Sequence, residues 1–240
     1  MSYSLAIIFG VLPSIIWLLF FLRKDAHPES NPMILKIFFY GMLAALVAIF
    51  LEMGALKIFA KLTPGLYKGE ELLVILNAFI GVALIEEGVK FFVVKKSVLD
   101  HAEFDEPVDA MLYMIIAALG FAASENILIL FGLSPELFLP RILEISILRF
   151  LGATFLHALC SGTLGYFLAL SIFETKKRLK LISLGLLISI ALHGLYNFSI
   201  IEVKGGLKFL IPLTILISLA IFVTFGFKRL KKLKSVCKIN

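Results

Sequence analysis

Seven apolar stretches, at about residues 4–22, 33–58, 71–94, 108–133, 143–173, 181–201 and 207–227, decide what this chain can fold into. The first and sixth run for 19 and 21 residues without an Asp, Glu, Lys or Arg, and the seventh, of 21 residues, carries only Lys208 at its start. That length crosses a hydrocarbon core of about 30 Å at about 1.5 Å per residue of α-helix. Inside a bilayer each backbone N–H and C=O must be bonded within its own segment, so such stretches become helices. Breaker residues separate them: Asn31-Pro32, Thr63-Pro64-Gly65, Glu106-Pro107, Ser134-Pro135 and Gly205-Gly206. The expected fold is all-α, a polytopic transmembrane bundle of about seven spans, with residues 1–240 forming a single integral membrane domain.

Composition excludes the alternatives. Of 240 residues 60% are apolar and 17% charged, against about 25% charge in a soluble domain. An ordinary soluble globule, a disordered chain and a disulfide scaffold are all ruled out. The net charge of +6 equals the six basic residues of the C-terminal tail, from Lys228 to Lys238, so the rest of the chain is neutral. No basic stripe is left for nucleic acid; the tail reads as a membrane-surface and orientation signal. Fifteen Lys and Arg fall on one side of the expected spans and six on the other, which predicts the N-terminus outside and the C-terminus in the cytoplasm. The first stretch lacks a positive leader and a small-x-small cleavage site, so it reads as a retained helix. Cys160 and Cys237 fall in different environments and predict no disulfide.

The informative residues are the polar ones inside the spans. An ionisable side chain there costs about 2.5–3.5 kcal/mol on insertion scales and is a functional hypothesis by default. The third stretch carries Glu86, Glu87 and Lys90; the fourth Glu125 and Asn126; the fifth Arg149 and His157; the sixth His193 and Asn197. Glu86 and Lys90 are i,i+4 and pair along one helix face. Arg149, His157, Ser161 and Gly165 sit at multiples of four and trace one stripe. Small residues flank each group, which lets helices approach and leaves room for a cavity. Simpler roles suit others: Glu52 and Lys57 as interfacial residues, Glu144 with Arg149 as a structural pair, and Asp109 as a carboxylate at a helix start. Counted along the helices, Glu86 lies about 12 Å from its cytoplasmic end but Glu125, His157 and Asn197 about 24–26 Å. A tilt, or a break at Gly81 or Gly88, is needed to bring Glu86 to the others.

Taken in order, Glu86-Glu87-x-x-Lys90, the segment Pro107 to Asn126, Arg149 with His157-x-x-x-Ser161, and His193-x-x-x-Asn197 resemble the PrsW family of intramembrane proteases, part of the larger group that also contains the CAAX prenyl endopeptidases and bacteriocin-immunity-type membrane proteases. The resemblance spans about residues 85–200. It implies hydrolysis of a peptide bond in a membrane protein, typically an anti-sigma factor, in or near the bilayer of a prokaryotic plasma membrane. By that analogy Glu86 is the base, His193 and Asn197 donate to the oxyanion, and Glu87, Glu125 and His157 complete the catalytic set, with Lys90, Asn126 and Arg149 supporting. The same residues leave the cofactor open. Glutamate chemistry needs none, whereas Glu86, Glu125, His157 and His193 suffice for Zn²⁺, although no HExxH occurs. Partners are the bilayer and a membrane-protein substrate. The competing classes are an ion- or proton-coupled transporter, which uses similar buried groups, and an inactive relative that only binds.

Overall fold

The computed structural model describes residues 3–25, 27–63, 69–132 and 139–233. Helix α1 (Tyr3–Leu22) is followed by α2 (Asn31–Leu62), whose first turn is capped by Ser30 and contains Pro32, the sequence chemistry of a helix start. The third span is composite: α3 (Gly69–Leu76), a π-helical stretch (Asn77–Leu84) and α4 (Ile85–Ser97). Then come α5 (Pro107–Gly132), α6 (Leu139–Leu151), α7 (Ala153–Phe173), α8 (Arg178–Glu202) and α9 (Leu207–Leu230). Among the described residues seven helical runs are long and apolar enough to cross a membrane, and none is a strand. The expected class and span number are met.

Helix α5 is the axis of the bundle. Every residue from Pro107 to Ser124 is buried, with α1, α2, α4, α7 and α9 packed around it. This is why its sequence is apolar all round instead of on one stripe. Its contact with α2 is close because both helices supply a glycine at the crossing. A Cβ on Gly41 would strike the Ala117 carbonyl, and one on Gly120 the Phe38 carbonyl. By contrast α2 and α9 turn large apolar side chains such as Phe50, Phe209 and Ile221 outward, as lipid-facing helices do.

Two interruptions depart from simple spans. The fifth apolar stretch, expected as one helix, is broken at Gly152 (φ −105°, ψ −97°) into α6 and α7. Trp17 of α1 braces the break: its ring stacks on Phe150 and Phe155, at centroid distances of 5.1 and 4.1 Å, and its indole N–H donates to the Phe150 carbonyl at 2.9 Å. The second interruption is the π-helical stretch, which ends at Leu84, two residues before Glu86. Such stretches are rare and concentrate at functional sites. Here it lies across Gly81, one of the two positions where a break was needed.

The acid at the start of α5 does cap. Asp109 Oδ2 accepts the backbone N–H groups of Asp105 and Glu106 at 3.0 and 2.7 Å. The Tyr113 hydroxyl, one turn on, donates to Glu29 in the α1–α2 connection.

Candidate active site

Past the π-helical stretch, the first turn of α4 points Glu86, Glu87 and Lys90 inward, all three buried. Lys90 Nζ donates to Glu86 Oε2 at 3.2 Å and Glu87 Oε1 at 2.9 Å, so the expected i,i+4 pair is joined by an i,i+3 pair. The ammonium also lies 2.7 Å from His157 Nδ1 of α7 and 4.3 Å from the centroid of the Phe121 ring of α5. A lysine can only donate, so Nδ1 of a neutral His157 is the acceptor and Nε2 carries the proton. That Nε2–H faces Glu125 Oε2 of α5 at 2.7 Å.

His193 of α8 has a matching arrangement. Its Nδ1 lies 3.0 Å from Glu87 Oε1, and a carboxylate oxygen can only accept, so Nδ1 is the protonated nitrogen. Nε2 is left with its lone pair, 3.8 Å from Glu86 Oε2, while His157 Nδ1 is 3.6 Å from the same oxygen. The two imidazoles meet edge to face with centroids 5.1 Å apart. Each histidine therefore gives its N–H to a different carboxylate; of the two nitrogens that face Glu86, His193 Nε2 keeps its lone pair and His157 Nδ1 accepts from Lys90.

Outer partners fix this core. Ser161, one turn along α7 from His157, donates to Glu87 Oε2 at 2.9 Å. Arg149, in the last turn of α6, reaches Glu125 Oε2 at 3.3 Å and also bonds Asn126 Oδ1. The Asn126 amide donates to the Gly10 carbonyl and to Thr154 Oγ1, each at 3.1 Å, and so joins α1, α5 and α7 behind the site. Glu125 and Arg149 keep 26% and 19% of their side chains exposed, against 3% or less for Glu86, Glu87, Lys90, His157 and His193. The cluster is reached from the Glu125–Arg149 side.

Eight of the nine residues singled out in the sequence thus come together in one network. The ninth, Asn197, is half-buried one turn beyond His193, and none of the cluster's hydrogen bonds among the described residues includes it. Two simpler readings are corrected. Glu144 pairs with Arg141 at 2.7 Å, leaving Arg149 to the site. Glu52 is not merely interfacial: its half-buried carboxylate acts electrostatically on Glu125, Lys90 and Glu86. The signal for it was present, because Ala45, Ala48 and Glu52 are spaced i, i+3, i+7 on a face of small residues.

A model of the PrsW family intramembrane metalloproteases matches residues 29–226 of the chain. The chain belongs to the PrsW family. Proteins named Protease PrsW are 34% identical over 191 residues in Geobacillus kaustophilus (79% of this chain, 76% of that one) and 30% identical over 230 residues in Bacillus subtilis (95% and 94%). The Clostridioides difficile Protease PrsW is 28% identical over 213 residues. No solved structure matches. Membership makes this chain an intramembrane peptidase of the plasma membrane.

The family's description as metalloproteases can be tested against the donors present. One oxygen of Glu86 and one nitrogen each of His157 and His193 lie within 4.8 Å of one another. Tetrahedral zinc with bonds near 2.0–2.1 Å sets its ligand atoms about 3.3 Å apart, close to the 3.6 and 3.8 Å found from Glu86 to each histidine. Both outward-turned N–H groups are held by carboxylates, the second shell that metal-binding histidines use. The core also holds three carboxylates, Glu86, Glu87 and Glu125, against two fixed cations, Lys90 and Arg149. The residues fit a divalent cation once Lys90, which holds His157 Nδ1 at 2.7 Å and Glu86 Oε2 at 3.2 Å, gives up both and keeps its bond to Glu87.

Proposed function

We propose that this PrsW-family chain acts as one membrane-embedded unit and hydrolyses a peptide bond of a membrane protein, such as an anti-sigma factor, with Glu86, His157 and His193 holding a zinc ion. The observation that carries this reading is the pair of histidines that each turn one ring nitrogen toward Glu86, His157 Nδ1 being held meanwhile by Lys90, with N–H groups braced by Glu87 and Glu125. A zinc ion bound there supplies Lewis-acid polarisation of the scissile carbonyl and acidifies water.

The chain's own residues do the rest. Glu125, the carboxylate of the core that solvent reaches, accepts a proton from the attacking water as its oxygen bonds to the carbonyl carbon. The same carboxyl then returns the proton to the amide nitrogen as the C–N bond breaks. Arg149 holds Glu125 in place for both transfers. Lys90 keeps a positive charge beside the oxygen that becomes negative, and Asn197, free of the network, offers its amide to the same oxygen; one such donor is worth about 2.7–4 kcal/mol. Glu87 and Ser161 orient His193. The distribution of Lys and Arg supports an external N-terminus and a cytoplasmic tail, which puts the opening at Glu125 and Arg149 in the outer half of the bilayer.

The test is a comparison of newly formed protein N-termini in native membranes, by mass spectrometry, between wild type and Glu86→Gln. Specific membrane-protein N-termini should vanish in the variant, and their sequences identify the substrate and the bond. A chelator should remove the same N-termini and added zinc restore them. Loss with the variant but not with chelator would leave glutamate hydrolysis without metal. Coincident profiles would overturn the reading.

A further inference from the structure

We propose that the crevice between α2 and α4 binds one anionic phospholipid, its acyl chain along the crevice and its phosphodiester between Lys36 and Lys96. The crevice has a volume of about 370 Å³ and apolar walls: Leu43, Ala44 and Val47 on α2, and Val89, Phe92 and Val93 on α4. At one end it runs into a polar mouth of about 340 Å³ that shares Tyr40, Lys96 and Ser97 with it and adds Lys36, Asp100 and His101. Lys36 lies in the first two turns of α2 and Lys96 in the last turn of α4, so this mouth sits at the ends of two spanning segments, where headgroups lie.

The two helices present the same device from opposite chain directions. On α2 the Lys36 ammonium lies 6.0 Å from the ring centroid of Tyr40, four residues on; on α4 the Lys96 ammonium lies 5.8 Å from that of Phe92, four residues back. Each lysine thus holds its ammonium near an aromatic ring of its own helix while lining the mouth. Neither ammonium takes part in an ion pair with a described residue. Two cations face one acid, Asp100, at the rim.

Only one class of occupant satisfies both halves. Free phosphate would match the lysines and leave the apolar crevice unfilled. A zwitterionic lipid would bring a further cation to the lysine pair. An apolar transmembrane segment would fill the crevice and leave both charges unmatched. An anionic lipid meets each requirement, as basic pockets between spanning helices do. Its chain would pack on Val89 and Val93, which flank Lys90 on the helix that carries Glu86 and Glu87.

The experiment is native mass spectrometry of the full chain with dioleoyl-phosphatidylglycerol, dioleoyl-phosphatidylcholine of identical chains, or inorganic phosphate. Wild type should retain phosphatidylglycerol preferentially. Lys36→Gln/Lys96→Gln, at two exposed positions, should keep its Tm and lose that preference about 25-fold, roughly fivefold per lysine. Val47→Phe, at an exposed wall position, should weaken both lipids alike. Retention of the full preference without the lysines would overturn the proposal. So would displacement of the lipid by phosphate, or a Val47→Phe variant that binds lipid normally but no longer cleaves substrate. That last outcome would give the crevice to a protein segment.

Discussion

Helix α5 carries a polar cluster near each end, and by donor distance alone the two look alike. One oxygen each from Asp25, Glu29 and Asp109 lies within 4.8 Å of the others, as do the donors of Glu86, His157 and His193. Their partners differ. At the start of α5 the carboxylates are taken up by backbone amides and a tyrosine hydroxyl, which ties the α1–α2 connection to the helix start. Near its other end the carboxylates are taken up by Lys90, Arg149 and the N–H of two histidines, and one imidazole lone pair, on His193 Nε2, remains free beside Glu86. Proximity of acids is common to both; what distinguishes a reactive cluster from a structural tie is which lone pairs stay uncommitted.

The contrast can be broken most forcefully at Glu86. Glu86→Gln, which removes one of the three metal ligands, should lower cleavage on the order of 10³-fold, the several kcal/mol that Lewis-acid chemistry supplies, with Tm near wild type, whereas Asp109→Asn should leave cleavage within about threefold and cost about 1 kcal/mol of stability, a capping effect. Comparable losses of activity from both changes would erase the distinction. Lys90→Met tests the charge balance: Glu86 and Glu87 would be left buried without their counter-ion, at a cost of about 3–5 kcal/mol, read as a large fall in Tm. A variant as stable as wild type would show that the pair is not needed. More modestly, Glu125→Gln and Glu87→Gln should each reduce zinc affinity about 10- to 100-fold, the usual effect of losing a carboxylate behind a ligating histidine. Isothermal titration would show it, and unchanged affinity would remove them from that role.

The smallest effect belongs to the structural tie. Burial pushes the Glu29 carboxyl above its ordinary value of 4.5, with Asp25 and Glu103 adding to the rise and hydrogen bonds from Tyr113 and Asp109 opposing it. The folded protein therefore holds this proton more tightly than the unfolded chain. Its stabilising share is complete below about pH 4.5 and is lost as pH rises through the elevated value. Glu29→Gln should flatten the decline of Tm with pH above that point; parallel profiles would refute it.

Much of this was legible in the residues. Charge-free runs of spanning length specify helices with little competition, because a bilayer allows few other structures. The eight residues that come together could be picked out in the sequence because each is costly in lipid and so conspicuous against Leu, Ile and Phe. Glu52 escaped because its position along α2 suggests an interface, and only the packing of α2 against α5 turns it inward. Arg149 was matched to the wrong acid for a related reason: Glu144 is near in sequence, but the break at Gly152 ends α6 where Arg149 meets α5. Neither the backbone break nor the π-helical stretch has an unambiguous residue signature, since glycine serves close packing at Gly41 and Gly120 as well.

The π-helical stretch before Glu86 sets a phase. An α-helix advances about 100° per residue, so the direction of Glu86, Glu87 and Lys90 relative to the first half of their span depends on how many residues lie between Asn77 and Leu84 and how they are wound. Removing one residue there would keep every reactive side chain and the span itself, yet rotate the two glutamates away from the histidines. Sequence length within those eight positions is as much a part of the active site as the charges it serves.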